Sequence, residues 1–240
     1  MKYNFLKETE DGSILYNKND TYIGRSIQTY GRYQLEELKL FNDYVHKGDT
    51  VLDIGANIGT HTLWFANRVG EKGWVGAFEP QRLIFQTLCA NMALNSIQNV
   101  DCRQLGVGSL RRLVKIPPLN PIVENNFGGL SITEHEKGDE VAICTIDDMN
   151  LGRCDFIKID VEGMEPEVLQ GGMNTIVLCR PVMYIEVDRE ENMEFIQVLL
   201  EELKYKATMH TPPLYSPDYS GDNVFDDVIS QNVLAIPAES

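Results

Sequence analysis

The chain has 240 residues, 43% of them hydrophobic, enough for one generous core or two small ones and too apolar for a disordered polypeptide. Its 36 acids against 21 bases give a formal net charge of −15, which excludes a protein that binds nucleic acid mainly by neutralising phosphates. Five scattered cysteines without a C-x-x-C, no apolar signal core near Met1 and no apolar run of bilayer length point to a cytoplasmic protein without zinc site, redox motif or membrane partner.

Residues 1–34 read as a β-rich N-terminal segment, with the strand-like pieces "SILYN" and "TYIGRSI" broken by Asp, Asn and Gly. Residues 35–240 read as a single domain. Leu35, Leu38, Phe41 and Val45 recur at helical spacing until Gly48 and Asp49 stop the element. "TVLDIGA" is a strand entering a glycine-rich turn, and "THTLWFANRV" continues as a helix. "GWVGAFEP" is the next strand, and Pro80 suits the first turn of a helix that carries Phe85, Leu88 and Met92 on one face and ends near Asn95. "NVDCRQLGVG" is the third strand.

Over residues 109–147 the pattern changes to three short strands, "RLVKIPPL", "GGLSITE" and "EVAICTI", which form a small β-rich insertion. Strand and helix then alternate again in "DFIKID", "PEVLQG", "PVMYIEV" and a helix bearing Ile196, Leu199, Leu200 and Leu203. "YKATMH", a Pro-rich loop from Thr211 to Ser220, and "NVLAIP" close the chain as an antiparallel return. The order predicts an α/β fold, a doubly wound, mostly parallel, Rossmann-like sheet with an antiparallel C-terminal strand.

In such sheets ligands bind beyond the carboxyl ends of the strands. After the first strand comes "DIGANIGT", with Asp53, Gly55, Asn57 and Gly59. A dinucleotide loop would need glycine at positions 57 and 60, which are Asn and Thr, so a nicotinamide-dependent oxidoreductase lacks support. The acidic-x-G-x-N-x-G form instead fits the loop that holds S-adenosylmethionine, though a plain strand–turn–helix connection has the same outline. Glu79 ends the second strand, where an acid accepts hydrogen bonds from ribose hydroxyls. Gly106 and Val107, in "LGVG", fall at the adenine position, where small residues admit a flat base.

Together "VLDIGANIGTHTLWFA", "AFEPQRLIFQTLCANMALN", "TIDDMNLGRCDFIKIDVEGMEPEVLQGG" and "PVMYIEV" resemble the FkbM-type methyltransferase family, as does "GRSIQTYGRYQLEELKLFNDYVHKGD" upstream. The resemblance spans about residues 22–190. It implies a class I, S-adenosylmethionine-dependent methyltransferase that releases S-adenosylhomocysteine and methylates a hydroxyl oxygen of a glycan, sugar or small metabolite.

Methyl transfer to an alcohol needs in-line alignment and a base for the hydroxyl proton. Asp160, at the tip of the fourth strand beside the cofactor cleft, is the first candidate, with its neighbour Glu162; crowded carboxylates raise one another's pKa toward neutrality. His61, just past the glycine loop, is a further candidate, and equally a packed histidine. Asp160 and Glu162, joined by Glu186 or Asp188, would also present oxygen ligands to Mg²⁺ or Ca²⁺, so metal-assisted transfer stays open although no metal ligand is assigned. Glu165 and Glu167 flank Pro166 at a helix start and are read as helix-dipole partners. A non-catalytic S-adenosylmethionine-binding partner module is the alternative to an enzyme. Oligomeric state is not legible.

Overall fold

A computed structural model describes residues 2–130, 137–187, 189–215, 217–226 and 228–238. A hairpin, β1 (Asn4–Glu8) and β2 (Ser13–Asn17), is followed by helices α1 (Ile23–Tyr30) and α2 (Leu35–Phe41). The main alternation runs β3 (Thr50–Ile54), α3 (Thr60–Val69), β4 (Trp74–Phe78), α4 (Arg82–Leu94) and β5 (Val100–Arg103). The insertion contributes β6 (Gly106–Val107), β7 (Arg112–Ile116) and β8 (Asp139–Cys144). The second half comprises β9 (Phe156–Ile159), α5 (Glu165–Gln170), α6 (Met173–Cys179), β10 (Val182–Glu186), α7 (Glu190–Glu202), β11 (Tyr205–His210) and β12 (Asn232–Pro237).

Seven strands form the central sheet in the order β11-β12-β10-β9-β3-β4-β5. The pairs from β10 to β5 are parallel, and β12 runs antiparallel to both β10 and β11. The order reverses between β3 and β9, the switch point at which a crevice opens in doubly wound sheets. Both faces are covered, so strand residues are buried on alternate sides. Leu52 and Ile54 of β3 join Val168, Ile176 and Ile196 on one face, while Val51 packs with Phe41, Phe65 and Phe156 on the other.

Three local readings change. "TYIGRSI" is helix α1, not a strand: the buried Asp20 accepts Tyr22 N–H at 3.0 Å at the helix entrance, and Gly24 lets the helix close on β2, since a Cβ there would stand 2.1 Å from Asn17 O. Pro80 precedes the helix, which begins at Arg82. The insertion's small sheet has the order β6-β8-β7, so its third strand is Gly106–Val107; residues 128–130 of "GGLSITE" are not strand, and the rest of that piece lies outside the described residues.

The N-terminal hairpin is tied to the glycine-loop region by one side chain. Asn91 of α4 is fully buried; its Oδ1 accepts Leu15 N–H at 2.7 Å, and its Nδ2 donates to Leu15 O at 3.1 Å and Ile58 O at 2.8 Å. Replacing Asn91 by Ala leaves those three backbone groups unpaired, a loss of about 3 kcal/mol of unfolding free energy that urea denaturation would read.

Candidate functional site

The carboxyl ends of β3, β4, β9 and β10 meet around a cavity of about 230 Å³, adjoined by a smaller one of about 40 Å³ beside β6; Gly55, Glu79, Gly128, Asp160 and Glu162 line both. Gly55 has φ +84°, and a Cβ on it would stand 1.7 Å from Asp160 O, so no side chain fits there. Gly59, with φ +87°, lies under Leu88, whose Cδ1 would be 2.5 Å from an added Cβ. Asn57 is itself left-handed at φ +48°, and its Oδ1 accepts Ile58 N–H at 2.8 Å, which holds the loop's tip. The loop is thus pinned between β9 and α4.

Glu79 is 4% exposed, and its two oxygens divide between two backbone donors: Oε2 accepts Asn57 N–H at 3.1 Å and Oε1 accepts Gln81 N–H at 2.8 Å. Burial pushes its carboxyl up to about 8; the two N–H groups pull it down in part, and Asp160 and Asp53 push it up again. Gln81, which the sequence reading passed over, is buried beside it. Its Nε2 donates to Phe127 O at 2.8 Å, while its Oε1 is buried without a protein partner among the described residues; the residue lines the smaller cavity. Gly106 and Val107 wall that smaller cavity.

Asp53 does not face the loop's ligand side but lies fully buried beneath it. Its Oδ2 accepts the Thr62 hydroxyl at 2.6 Å, and its Oδ1 is 4.0 Å from Lys158 Nζ. Lys158 in turn donates to Asp160 Oδ2 at 2.9 Å. Burial opposes charge on Lys158, but Asp160, Asp53 and Glu37 offset it and hold the ammonium above its ordinary pKa. Burial likewise opposes charge on Asp160; Lys158 and a hydrogen bond with Glu186 outweigh it and hold the carboxyl below the usual range. The upward push expected from crowded acids is therefore reversed at Asp160, because the crowd contains a lysine.

Glu162 occupies the turn after β9 at φ +53° and faces both cavities. Among the described residues no group of three or more His, Cys, Asp and Glu is arranged to hold a metal ion, and Asp188 lies outside the described residues. Glu165 is 1% exposed and is more than dipole trim: it accepts Gly163 N–H at 2.7 Å and Asn192 Nδ2 at 2.8 Å, fixing the turn that carries Glu162.

His61 of α3 lines the larger cavity, packed against Tyr33 and Phe41 with its Nε2 3.1 Å from Glu37 Oε2, off the line of an ideal hydrogen bond. Both side chains are nearly inaccessible, at 7% and 4% exposure. Glu37 belongs to a polar group under the cavity floor, with Tyr184 and Ser230. Tyr184 is raised above its usual pKa by burial and then by Glu37, and its hydroxyl lies 2.8 Å from His210 Nδ1. Glu37 and Tyr184 lie within the family-like stretches, but only the fold reveals that they meet beneath the cavity.

The far wall comes from both ends of the chain. Tyr22 stacks on Phe225 at 6.1 Å between ring centres, Tyr30 leans on Phe225 and Tyr219, and the Tyr30 hydroxyl accepts Val224 N–H at 3.1 Å. The segment so clamped brings Leu214, Val228, Ile229 and Ser230 to the cavity.

Residues 53–207 match the family described as the methyltransferase FkbM domain. Methyltransferase 1 of Beauveria bassiana is 27% identical over 191 residues, covering 70% of this chain and 76% of that protein. The hexuronic acid methyltransferase AglP of Haloferax volcanii is 27% identical over 179 residues, covering 72% and 70%. The crystal structure of methyltransferase FkbM from Methylobacillus flagellatus KT superposes with a TM-score of 0.54 at 20% identity, over 78% of this chain; the chain spans 43% of that longer protein. The likeness extends to the fold, a class I methyltransferase-like α/β sheet.

Glu79 gives a pH prediction. Its folded pKa lies above the ordinary value of 4.5, so its contribution to stability is fully present below about pH 4.5 and is lost as pH rises through about 8. Urea midpoints measured from pH 5 to 9 should fall more steeply in the natural chain than in Glu79→Gln, and parallel curves would remove this assignment.

Proposed function

The chain belongs to the FkbM methyltransferase family, and from that membership we propose that it moves the methyl group of S-adenosylmethionine to a hydroxyl oxygen of a sugar, glycan or small metabolite, releasing S-adenosylhomocysteine. The observation that carries the donor assignment is Glu79, buried at the end of β4 and bound to the backbone of the glycine loop. Its oxygens, already anchored by N–H groups, keep lone pairs for a ribose diol. The residues present fit the donor: Gly55 and Gly59 keep the loop bare, Asn57 shapes it, and Gly106 and Val107 leave room for a flat base. Gln81 Oε1, without a protein partner among the described residues, suits an exocyclic amine. Asp53 acts from below the loop by tying Thr62 and facing Lys158.

The bound donor would supply an electrophilic methyl group on a positively charged sulfur. Asp160, kept ionised by Lys158, offers negative charge where the two cavities join. A carboxyl held that low is a weak proton acceptor, so its role is electrostatic. Glu162 flanks the same opening and positions the acceptor. The base is His61. Glu37 holds its Nε2 side, which leaves Nδ1 to take the acceptor's proton as the new carbon–oxygen bond forms. A relative whose name specifies hexuronic acid supports a sugar-class acceptor.

Isothermal titration should detect binding of both S-adenosylmethionine and S-adenosylhomocysteine; absence of affinity for either would falsify the donor assignment. Affinity should also rise toward pH 8, because ribose hydroxyls favour the ionised Glu79 and binding then releases a proton. With labelled methyl donor, His61→Asn should lower kcat by about 10²- to 10⁴-fold while donor affinity holds within a few-fold. Unchanged turnover in that variant removes His61 as the base.

A further inference from the structure

The larger cavity is bordered by unlike segments. The strands β9 and β10 bring ionisable side chains to it, Lys158 and Glu186 among them, whereas the C-terminal segment brings Leu214, Val228 and Ile229. None of these three lines the smaller cavity beside β6, so they border the part of the site away from Gly106 and Val107. Leu214 is buried, but Val228 is 40% exposed and Ile229 is 53% exposed. A residue that both lines a cavity and keeps so much of its surface in water stands at the rim.

The backbone of this rim is anchored on either side. Leu214 N–H donates to Val228 O at 2.9 Å and Ser230 N–H to Pro212 O at 3.1 Å, a short antiparallel pairing that includes the bridge between Pro213 and Ile229. Val228 N–H donates to Phe225 O at 3.0 Å, and Phe225 is buried against Tyr22 and Tyr30. Val and Ile are also stiff at the first side-chain torsion, so the pair presents an apolar surface that loses little freedom when covered. Single apolar residues scattered over a surface need no explanation. An anchored pair continuous with a ligand cavity marks a binding surface.

Resting on the methyl-transfer reading above, we propose that the acceptor is a sugar bearing an apolar aglycone, aryl or alkyl, and that Val228 and Ile229 select for it. The hydroxyl-bearing ring enters the cavity that His61 lines, and the aglycone lies on the exposed faces of the pair at the rim. The pair sets specificity and takes no part in the proton transfer. Little area is needed: a tenfold preference is about 1.4 kcal/mol, which about 55 Å² of apolar surface removed from water supplies.

The test uses the full chain saturated with S-adenosylhomocysteine and two neutral probes, methyl β-D-glucopyranoside and phenyl β-D-glucopyranoside, with dissociation constants from ligand-observed NMR. The phenyl glycoside should bind at least about tenfold more tightly. The gap should persist at high ionic strength, because no charge distinguishes the probes. Ile229→Ser should cut the preference to about threefold or less, with little change in binding of the methyl glycoside. Val228→Thr keeps the branched shape, exchanges one methyl for a hydroxyl and should narrow the preference in the same direction; it carries the test should Ile229→Ser fold poorly. Equal binding of the two probes, no binding of the phenyl glycoside, or a preference unchanged in both variants overturns the proposal. S-adenosylhomocysteine titrated into the same samples separates the two readings: intact affinity for it without a phenyl preference sinks only the role of the rim, and no affinity for it sinks the methyl-transfer reading and this proposal together.

Discussion

The site depends on how closely β3 and β9 converge where the sheet order reverses. Asp160 N–H donates to Ile54 O at 2.9 Å, and the next residue, Gly55, comes so near the Asp160 carbonyl that a methyl group would overlap it. That approach bends the chain away from the strand and exposes the loop's backbone to a ligand. It also stacks Asp53, Lys158 and Asp160 in one seam beneath the cleft. A larger residue at position 55 would part the strands and pull the seam open. The glycine is a condition of the crevice, not an ornament of a turn.

The seam itself is an expensive object. Asp53, Lys158, Glu37 and His61 are each nearly inaccessible. Desolvating such groups costs several kcal/mol apiece, and their mutual attraction repays this only when every partner is in place. Apolar residues of equal volume would make a more stable floor. What the polar floor supplies is fixed charge at chosen points: a carboxylate held ionised by its lysine, and a histidine held by its glutamate.

The parts legible in the sequence were those encoded locally. Asp53 to Gly59 is one continuous loop, Glu79 sits at a strand end set by hydrophobic runs, and the order of strands follows from alternation. The groups that escaped notice are joined by packing across long separations. Glu37 reaches His61 from a different helix, and Gln34 meets Ser230 from 196 residues away. Gln34 and Gln81 lie within the family-like stretches, but an unmatched carbonyl is a property of surroundings and is not legible there. Helix α6 went unread because "TIVLC" is β-prone in isolation, and "TYIGRSI" because Asp20 and Gly24, not propensity, decide its helix. The low-held carboxyl of Asp160 escaped for a similar reason: acids could be counted in the chain, but Lys158 had to be seen beside them.

The aromatic clamp of Tyr22, Tyr30 and Phe225 has a bearing on the order of assembly. The glycine loop is tied to β4 by a hydrogen bond between residues 22 apart, Asn57 and Glu79, whereas Tyr30 meets Val224 across 194 residues. Loop-closure entropy delays the second kind of contact, so the Asn57–Glu79 clasp forms before the Tyr30–Val224 one, which waits until both ends of the chain have been brought in. Pulse labelling of backbone amides during refolding would see protection at Asn57 well before Val224. A molecule caught between the two stages would hold its glycine loop closed while the wall of Tyr22, Tyr30 and Phe225 still stood open.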